Sequence, residues 1–358
     1  MTSGPDVPLE RTGPSNDVVG QIRSEPPDDA ATAALVEEVF FELRKVIVGQ
    51  SRLLERLLVG ILARGHCLLE SVPGLAKTLA AETLAEVVGG SFARIQFTPD
   101  LLPSDIVGTR IYRVGSERFD VELGPVFVNF LLTDEINRAP AKVQSALLEV
   151  MAEHQVTIGG TTYPVPQPFF VVATQNPIES EGVYQLPDAQ RDRFRMKIDL
   201  PHPTADEELM ILDRMSVTAP HARQVLTLDG LRDLQETADR VFVDRSVSKY
   251  AIDLVQATRH PDRFGLDDLS SAIALGVSPR ATLNLVRGAR AMAVLRGRSY
   301  TTPQAVFEPA TEVFRHRLLL TYDALARDIT PDHVVNRILA SVPATWVSPR
   351  PNHVVRRG

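Results

Sequence analysis

Short apolar runs alternate with amphipathic segments through the first part of the chain. The apolar runs have the length of buried strands and lie at 67–69, 92–97, 128–132, 169–173 and 196–200. Apolar side chains at helical spacing lie before or between them, at 30–46, 53–62, 77–88 and 141–153. Strands that alternate with helices are typical of a parallel sheet covered on both faces, so the pattern predicts an α/β core.

Two segments interrupt this alternation with the features of β-hairpins. Segment 111–123 carries the turn sequence VGS between alternating flanks, and segment 155–166 carries a two-glycine turn signal. After Pro203 the strand signals stop, and the pattern to about Ala340 indicates helices alone. We therefore predict a disordered Pro-rich leader over 1–28, an α/β core over 29–203, a helical domain over 204–346 and a flexible tail over 347–358.

The composition is that of a globular protein with a packed core, at 44% hydrophobic and 23% charged residues. A formal net charge of -7 argues against generic, charge-driven binding of nucleic acids. The single cysteine, Cys67, cannot form an intramolecular disulfide, which favours a reducing compartment. No apolar run has the length of a membrane span, and the N-terminus lacks the apolar core of a signal peptide. We therefore expect a cytoplasmic protein.

Two adjacent carboxylates, Asp134 and Glu135, stand at the end of an apolar run. Ligands of open α/β sheets bind outside the carboxyl ends of the strands, where these acids would lie. Burying two acids side by side is costly unless a cation or a reacting group needs them. In nucleoside triphosphatases the first acid holds Mg²⁺ and the second orients a water molecule. A strand that ends in solvated acid is the alternative.

The segment SVPGLAKT joins the first predicted strand to the next helix. Lys77 supplies charge for phosphates, Thr78 a hydroxyl for Mg²⁺, and Gly74 room for close backbone approach at a helix N-terminus. The strict pattern G-x-x-x-x-G-K-[ST] is not matched, because Ser71 and Ala76 stand at its two glycine positions. An ordinary strand-to-helix turn is the alternative for the loop alone. The two downstream carboxylates in the same predicted sheet favour phosphate binding.

Polar side chains elsewhere complete the candidate chemistry. Asn176 follows another buried run and could position water or contact a γ-phosphate, although Asn-Pro also favours turns. Arg191 and Arg193 follow a predicted helix before the last strand, and Arg280 begins a helix of the second domain after Pro279. Guanidinium groups neutralise charge on a transferring phosphoryl group, often from a neighbouring subunit. Ordinary surface arginines are the alternative.

These segments, in this order, resemble the AAA+ ATPases and, within them, the MoxR family, from about Val39 to Ala340. The most specific segments are VIVGQ (46–50), SVPGLAKT (71–78), QFTPDLLPSDIVG (96–108), LLTDEINRAP (131–140), ATQNPIE (173–179) and SPRA (278–281). The family usually carries an alanine like Ala76. Its loop usually opens with glycine where this chain has Ser71. Its helix end reads like Gln-Leu-Asp-Arg-Phe where this chain has Arg191, which adds Arg191 as a second candidate beside Arg193 for the role of arginine finger.

The resemblance implies a parallel-sheet nucleotide-binding core with β-hairpin inserts, followed by a smaller all-helical lid. It assigns the Walker A pair to Lys77 and Thr78, Walker B to Asp134 and Glu135, the first sensor to Asn176, the arginine finger to Arg193 and the second sensor to Arg280. It assigns nucleotide binding to Ile47, Val48, Gly49, Ser71, Val72, Pro73, Gly74, Leu75, Ala76, Lys77 and Thr78, and Mg²⁺ to Thr78 and Asp134.

The family's members are thought to be ring-forming, chaperone-like ATPases that mature or activate partner complexes. The resemblance therefore implies ATP and Mg²⁺ as cofactors, self-association into a ring, expected to be a hexamer, and a partner with a von Willebrand factor A domain.

Three other functions are alternatives to this one. A DNA motor shares the architecture, but its hairpins would need basic side chains, because phosphate charge dominates affinity. Segment 155–167 has no charged residue, and segment 111–123 mixes both signs. A switch or scaffold with little turnover is conceivable because of Ser71, although the intact pair of carboxylates argues against it. A magnesium-chelatase-like subunit is the third alternative.

Overall fold

The computed structural model of the protein describes residues 29–344, except 73, 116, 177–183, 185 and 217–219. The predicted leader and tail, Pro73 and part of the ATQNPIE segment lie outside the described residues. The first part of the chain forms α1 (Asp29–Val46), α2 (Ser51–Leu62), β1 (Cys67–Glu70), α3 (Lys77–Val88), β2 (Phe92–Gln96), α4 (Pro103–Val107), β3 (Gly108–Arg113), β4 (Arg118–Leu123), β5 (Phe130–Asp134), α5 (Ala141–Glu153), β6 (Gln155–Ile158), β7 (Thr161–Pro164), β8 (Phe170–Gln175), α6 (Asp188–Arg191) and β9 (Met196–Asp199).

The second part is mainly helical. Its elements are α7 (Ala205–Met215), α8 (Leu228–Arg240), α9 (Arg245–Arg259), β10 (Ile273–Leu275), α10 (Pro279–Leu295), α11 (Pro303–Phe307), α12 (Ala310–Phe314), β11 (Leu319–Leu320), α13 (Tyr322–Ala326) and α14 (Pro331–Ser341). Helices such as α8, α9 and α14 begin after a Thr or Asp side chain that accepts a hydrogen bond from the first turn, which satisfies a free backbone donor. The predicted domain boundary at 203 falls in the connection between β9 and α7, and the division into domains stays a prediction.

Five parallel strands form the central sheet in the order β2-β5-β8-β1-β9. Successive side chains of a strand point to opposite faces, and both faces are buried here. Leu132 joins a large cluster that includes α2, α3 and the lid helices, whereas its neighbour Leu131 joins a cluster with α5 and the second hairpin. Because β8 lies between β5 and β1, the residues that follow these three strands emerge side by side at one edge.

The predicted β-hairpins are present as β3–β4 and β6–β7. The first begins at Gly108, three residues before the prediction. Gly108 has φ +99°, and a Cβ there would lie 2.3 Å from the carbonyl oxygen of Glu122, so the start of this hairpin needs glycine. Arg110 of β3 lies against Gly159 in the turn of the second hairpin, which brings the two hairpins together.

Two expectations about strands need correction. The strand predicted at 128–132 is β5, but it begins and ends two residues later than predicted. Asp134 therefore belongs to the strand. The region after Pro203 is not purely helical, because β10 and β11 form a short antiparallel ladder. Strands of three and two residues are too short to show a period in the sequence. Within the part of the chain that the structure describes, the helices are all too short or too polar to cross a membrane.

Candidate active site

The loop between β1 and α3 ends at a helix N-terminus that has free backbone donors. Ala76, at the N-cap, has φ 55° and makes no capping hydrogen bond through its side chain. Gly74 has φ +88°, and a Cβ built there would meet no atom within 4 Å, so the loop is open on that side. Free N–H groups and the dipole of a twelve-residue helix make such a terminus an anion-binding site.

Lys77 opens α3 and turns back over the loop. Its Nζ donates to the carbonyl oxygens of Ser71 at 3.3 Å and Val72 at 3.4 Å. Partial burial lowers the pKa of Lys77, and the negative charges of Asp134 and Glu135 oppose that shift. The ammonium group therefore lies within electrostatic reach of both carboxylates, although loop and carboxylates are more than fifty residues apart in the chain.

Asp134, at the end of β5, is 6% exposed, and both of its oxygens have partners. Arg94 Nε donates to Oδ2 at 2.7 Å, and Thr174 Oγ1 donates to Oδ1 at 3.2 Å. These partners come from the strands on either side, because β2 and β8 both pair with β5. A nearly buried carboxylate with two donors is held in one orientation.

Glu135 follows directly and has φ 57°, a conformation that few non-glycine residues adopt. Its backbone N–H donates to Thr174 Oγ1 at 3.0 Å. Its carboxylate accepts from Gln96 Nε2 at 2.9 Å and pairs with Arg138 Nε at 2.8 Å. The turn aims this carboxylate across the ends of β2 and β5. Strained backbone of this kind is typical of functional sites.

Asn176 and Thr78 complete the group at this edge of the sheet. Asn176 follows β8, the strand between β5 and β1, and is 7% exposed. Thr78 lies half-buried in the first turn of α3. The structure thus brings the predicted Walker A and Walker B residues and the first-sensor residue to adjacent strand ends.

The donor set suits Mg²⁺ held jointly with a nucleotide. Within the described residues, no three His, Cys, Asp or Glu side chains cluster as an all-protein metal site. Magnesium keeps several waters and is commonly bound through one or two carboxylates and the substrate's phosphates, so one buried carboxylate and one hydroxyl are a fitting set. Asp134 and Thr78 are the residues that would hold it.

The predicted arginines make their contacts away from the loop. Arg193 is exposed, and its Nη1 donates to the carbonyl oxygen of Leu148 at 2.5 Å. Arg191 pairs with Asp188 on its own short helix. Arg280, on the second domain, donates to Asp192 Oδ2 at 3.0 Å.

The segment expected to line an adenine pocket lies after α1. Ile47 and Val48 are buried, at 2% and 8% exposed. Gly49 has φ +65°, and a Cβ there would lie 2.4 Å from Glu207 Oε1, so the segment contacts the start of α7. Glu207 also accepts from the backbone N–H of Thr204 in a capping box, which fixes its position.

Sequence reasoning missed four residues that hold the carboxylates. They are Arg94, Gln96, Arg138 and Thr174. Arg94 and Gln96 alternate along β2 on one face, with buried Ile95 on the other. That alternation was the available signal, but it says nothing about the site until β2 is known to pair with β5.

Comparisons with known proteins agree with this fold. The family model "ATPase family associated with various cellular activities (AAA)" matches residues 66–196, and the model "AAA lid domain" matches residues 268–338. The chain is an AAA+ ATPase, with a parallel-sheet core and a helical lid.

Its relatives define the family more narrowly. The chain is 57% identical to Chaperone MoxR1 of Mycobacterium tuberculosis, over 91% of this chain and 87% of that protein. It is 33% identical to Protein MoxR of Paracoccus denitrificans, over 84% of this chain and 94% of that protein. The crystal structure of a candidate ATPase from Cytophaga hutchinsonii superposes with a TM-score of 0.84 at 46% identity, covering 89% of this chain and 97% of that one. The chain belongs to the MoxR family.

Proposed function

We propose that this ATPase depends on Mg²⁺ and divides the work of hydrolysis among five residues at one edge of the sheet. Lys77 and the N–H groups of the loop bind the β- and γ-phosphates, while Thr78 and Asp134 hold the metal. The metal, when bound, neutralises charge on the phosphates. Glu135 polarises the attacking water, and Asn176 positions it.

The observation that carries this proposal is that the loop with Lys77 and the carboxylates Asp134 and Glu135 follow strands β1 and β5 of one parallel sheet. A lysine that binds phosphates and a carboxylate that holds their metal must both reach one triphosphate. The strand order supports such an arrangement, because only β8 separates β1 from β5. Ile47, Val48 and Gly49 follow α1, where Gly49 lies against Glu207 of α7, and are proposed to contact the base.

We propose further that the active form is a ring, expected to be a hexamer, in which Arg193 completes the site of the next subunit. Arg193 is an exposed residue, which supports this role, since a buried side chain could not reach a neighbour. Arg191 is the weaker candidate, because Asp188 on its own helix already neutralises it. Arg280 is proposed as the second sensor, which contacts the nucleotide from the lid. A finger from a neighbour makes turnover depend on assembly.

The proposed biological role is that of a chaperone-like factor that matures or activates a partner complex. The relative named Chaperone MoxR1 supports this role. A protein with a von Willebrand factor A domain is the expected partner. Stimulation of ATP turnover by such a protein would support the pairing, and equal turnover with and without it would argue against it.

Replacement of Glu135 by glutamine tests the assignment of the catalytic carboxylate. Glutamine keeps the size and hydrogen-bonding capacity of the side chain but cannot act as a base. ATP binding should persist, while hydrolysis falls by about 10²- to 10⁴-fold. The matched control is Glu86→Gln, an equally conservative change on the exposed face of α3. Unchanged turnover in Glu135→Gln protein would refute the assignment.

A further inference from the structure

The turn that carries Arg193 is bonded to the lid as well as to the core. Arg317, which follows α12, is 8% exposed and donates through Nε to Asp192 Oδ1 at 2.6 Å. Its other nitrogens donate to the backbone carbonyls of Asp192 at 3.1 Å and Arg195 at 3.2 Å, and also to that of Phe194. One guanidinium thus binds a residue on each side of Arg193.

A neighbouring lid residue strengthens this attachment. The Nε2 atom of His316 lies 3.2 Å from the carbonyl oxygen of Phe194, and the imidazole is fully buried. Burial lowers the pKa of His316 well below its usual value, so this ring is neutral and donates one hydrogen bond. Two adjacent lid residues therefore bind the backbone of this turn.

Asp192 is shared between two lid arginines of different character. Its Oδ1 is bound by buried Arg317, and its Oδ2 is bound by Arg280, whose side chain is 54% exposed. Buried, multiply bonded pairs are hard to break, whereas exposed ion pairs are weak. Arg317 is thus a fixed partner of Asp192, and Arg280 is a partner that can leave.

We propose that Asp192 is a positioning residue: it fixes the Arg193 turn to the lid through Arg317 and retains Arg280 until a γ-phosphate takes it. This inference rests on the proposed function, in which Arg193 acts on a neighbour and Arg280 contacts nucleotide. A triphosphate carries more charge than one carboxylate, so it can draw Arg280 away from an exposed pair. The occupancy of one subunit's site would then change how its own finger turn is held, and so reach the next subunit's site.

The test is a mixture of two inactive proteins. Subunits with Glu135→Gln donate a finger but cannot hydrolyse, and subunits with Arg193→Ala can hydrolyse but lack a finger. Each alone should be inactive, and the mixture should recover ATP turnover at the Arg193→Ala sites. Without any recovery, the finger in trans is wrong, and this inference is wrong with it.

Asp192→Asn is then added to one partner of the mixture at a time. In the finger donor it should lower kcat by about 10- to 100-fold at an unchanged KM for ATP, because a misplaced group costs rate rather than substrate binding. In the acceptor, which has no finger, it should change kcat little. An equal loss in both positions, or a loss in the acceptor alone, would overturn the proposal while leaving the finger in trans intact.

Two further variants separate positioning from general damage. Asp199→Asn is the matched control, because Asp199 also pairs a core strand with a lid arginine, Arg315, but away from the finger turn. It should leave kcat of the mixture near its parent value. Arg317→Lys keeps the charge but not the planar fork, so in the donor it should reproduce the loss seen with Asp192→Asn.

The role of Asp192 in retaining Arg280 has its own measurement. Fluorescent ATP and ADP analogues are titrated into Asp192→Asn protein and into the parent protein. Arg280 would be released from a weak, exposed ion pair. The Kd of the triphosphate should therefore fall by about two- to five-fold, while the Kd of the diphosphate stays unchanged. Equal tightening of both nucleotides, or weaker binding of the triphosphate, would contradict it.

Discussion

Thr174 joins the two carboxylates of the site, and removing its hydroxyl should impair both of them. Its Oγ1 donates to Asp134 Oδ1 at 3.2 Å and accepts from the backbone N–H of Glu135 at 3.0 Å. Thr174 is 1% exposed, so water has little access to replace either bond. Valine has nearly the same shape without the hydroxyl, so Thr174→Val removes two hydrogen bonds and leaves the packing intact.

The cost follows from what the substitution leaves unpaired. An unsatisfied buried donor costs about 1–3 kcal/mol, and a lost bond to a charged group costs a similar amount. Because Arg94 still holds Asp134, we expect the free energy of unfolding to fall by about 2–4 kcal/mol in total. In a chain of this size that corresponds to a fall in Tm of roughly 3–5 °C. Loss of orientation at Glu135 should lower kcat by about 10- to 100-fold.

Thermal unfolding and steady-state ATP turnover measure the two effects separately. Thr83→Val is the matched control, because Thr83 is 2% exposed and its hydroxyl only donates to the Leu79 carbonyl within α3. That carbonyl keeps its ordinary helical hydrogen bond when the hydroxyl is lost. If Thr174→Val protein turned over ATP as fast as the parent and melted no earlier than Thr83→Val protein, Thr174 would not organise the site.

Two further predictions concern stability. Arg56 and Arg52 both bind Glu312, which is 1% exposed. Arg56→Met should cost about 1.5–3 kcal/mol, because Glu312 loses its buried donor and keeps only Arg52, whereas Arg52→Met, at a side chain 64% exposed, should cost under about 1 kcal/mol. Equal costs in denaturant titrations would contradict this. Burial lowers the pKa of His66 from 6.5 to about 3, and because only the unfolded chain takes up the proton between these values, the free energy of unfolding should fall as pH decreases through that range. His66→Gln protein should show a flatter pH dependence, and an unchanged slope would exclude His66 as the cause.

Local sequence rules predicted the elements that bear the site. Helices α3 and α5 begin and end at the residues expected from apolar spacing. The strands were found because runs buried on both faces are continuous in sequence, and a two-glycine turn marks the second hairpin. In each case the signal lies within a dozen neighbouring residues, which is the range over which a pattern can be read.

Contacts across the sheet could not be predicted in the same way. Arg94 reaches Asp134 only because β2 pairs with β5, and that pairing is a property of the strand order. Thr174 stands at the end of a buried apolar run, and no local pattern indicates that its hydroxyl contacts Asp134 and Glu135. The link between Asp192 and Arg317 spans 125 residues and two domains, so neither residue carries a local sign of it. The unpredicted β10–β11 ladder is likewise a long-range pairing of very short strands.

Both carboxylates of the site have arginine partners, which a bound metal or water would displace. Asp134 is held by Arg94, and Glu135 by Arg138, and both arginine side chains are substantially exposed, at 51% and 39%. A metal that binds Asp134 competes with Arg94, and a water that reaches Glu135 competes with Arg138. Exposed ion pairs contribute little net stability, so these partners can be displaced at low cost. We infer that the two arginines orient the carboxylates, and that a bound metal would displace Arg94 from Asp134.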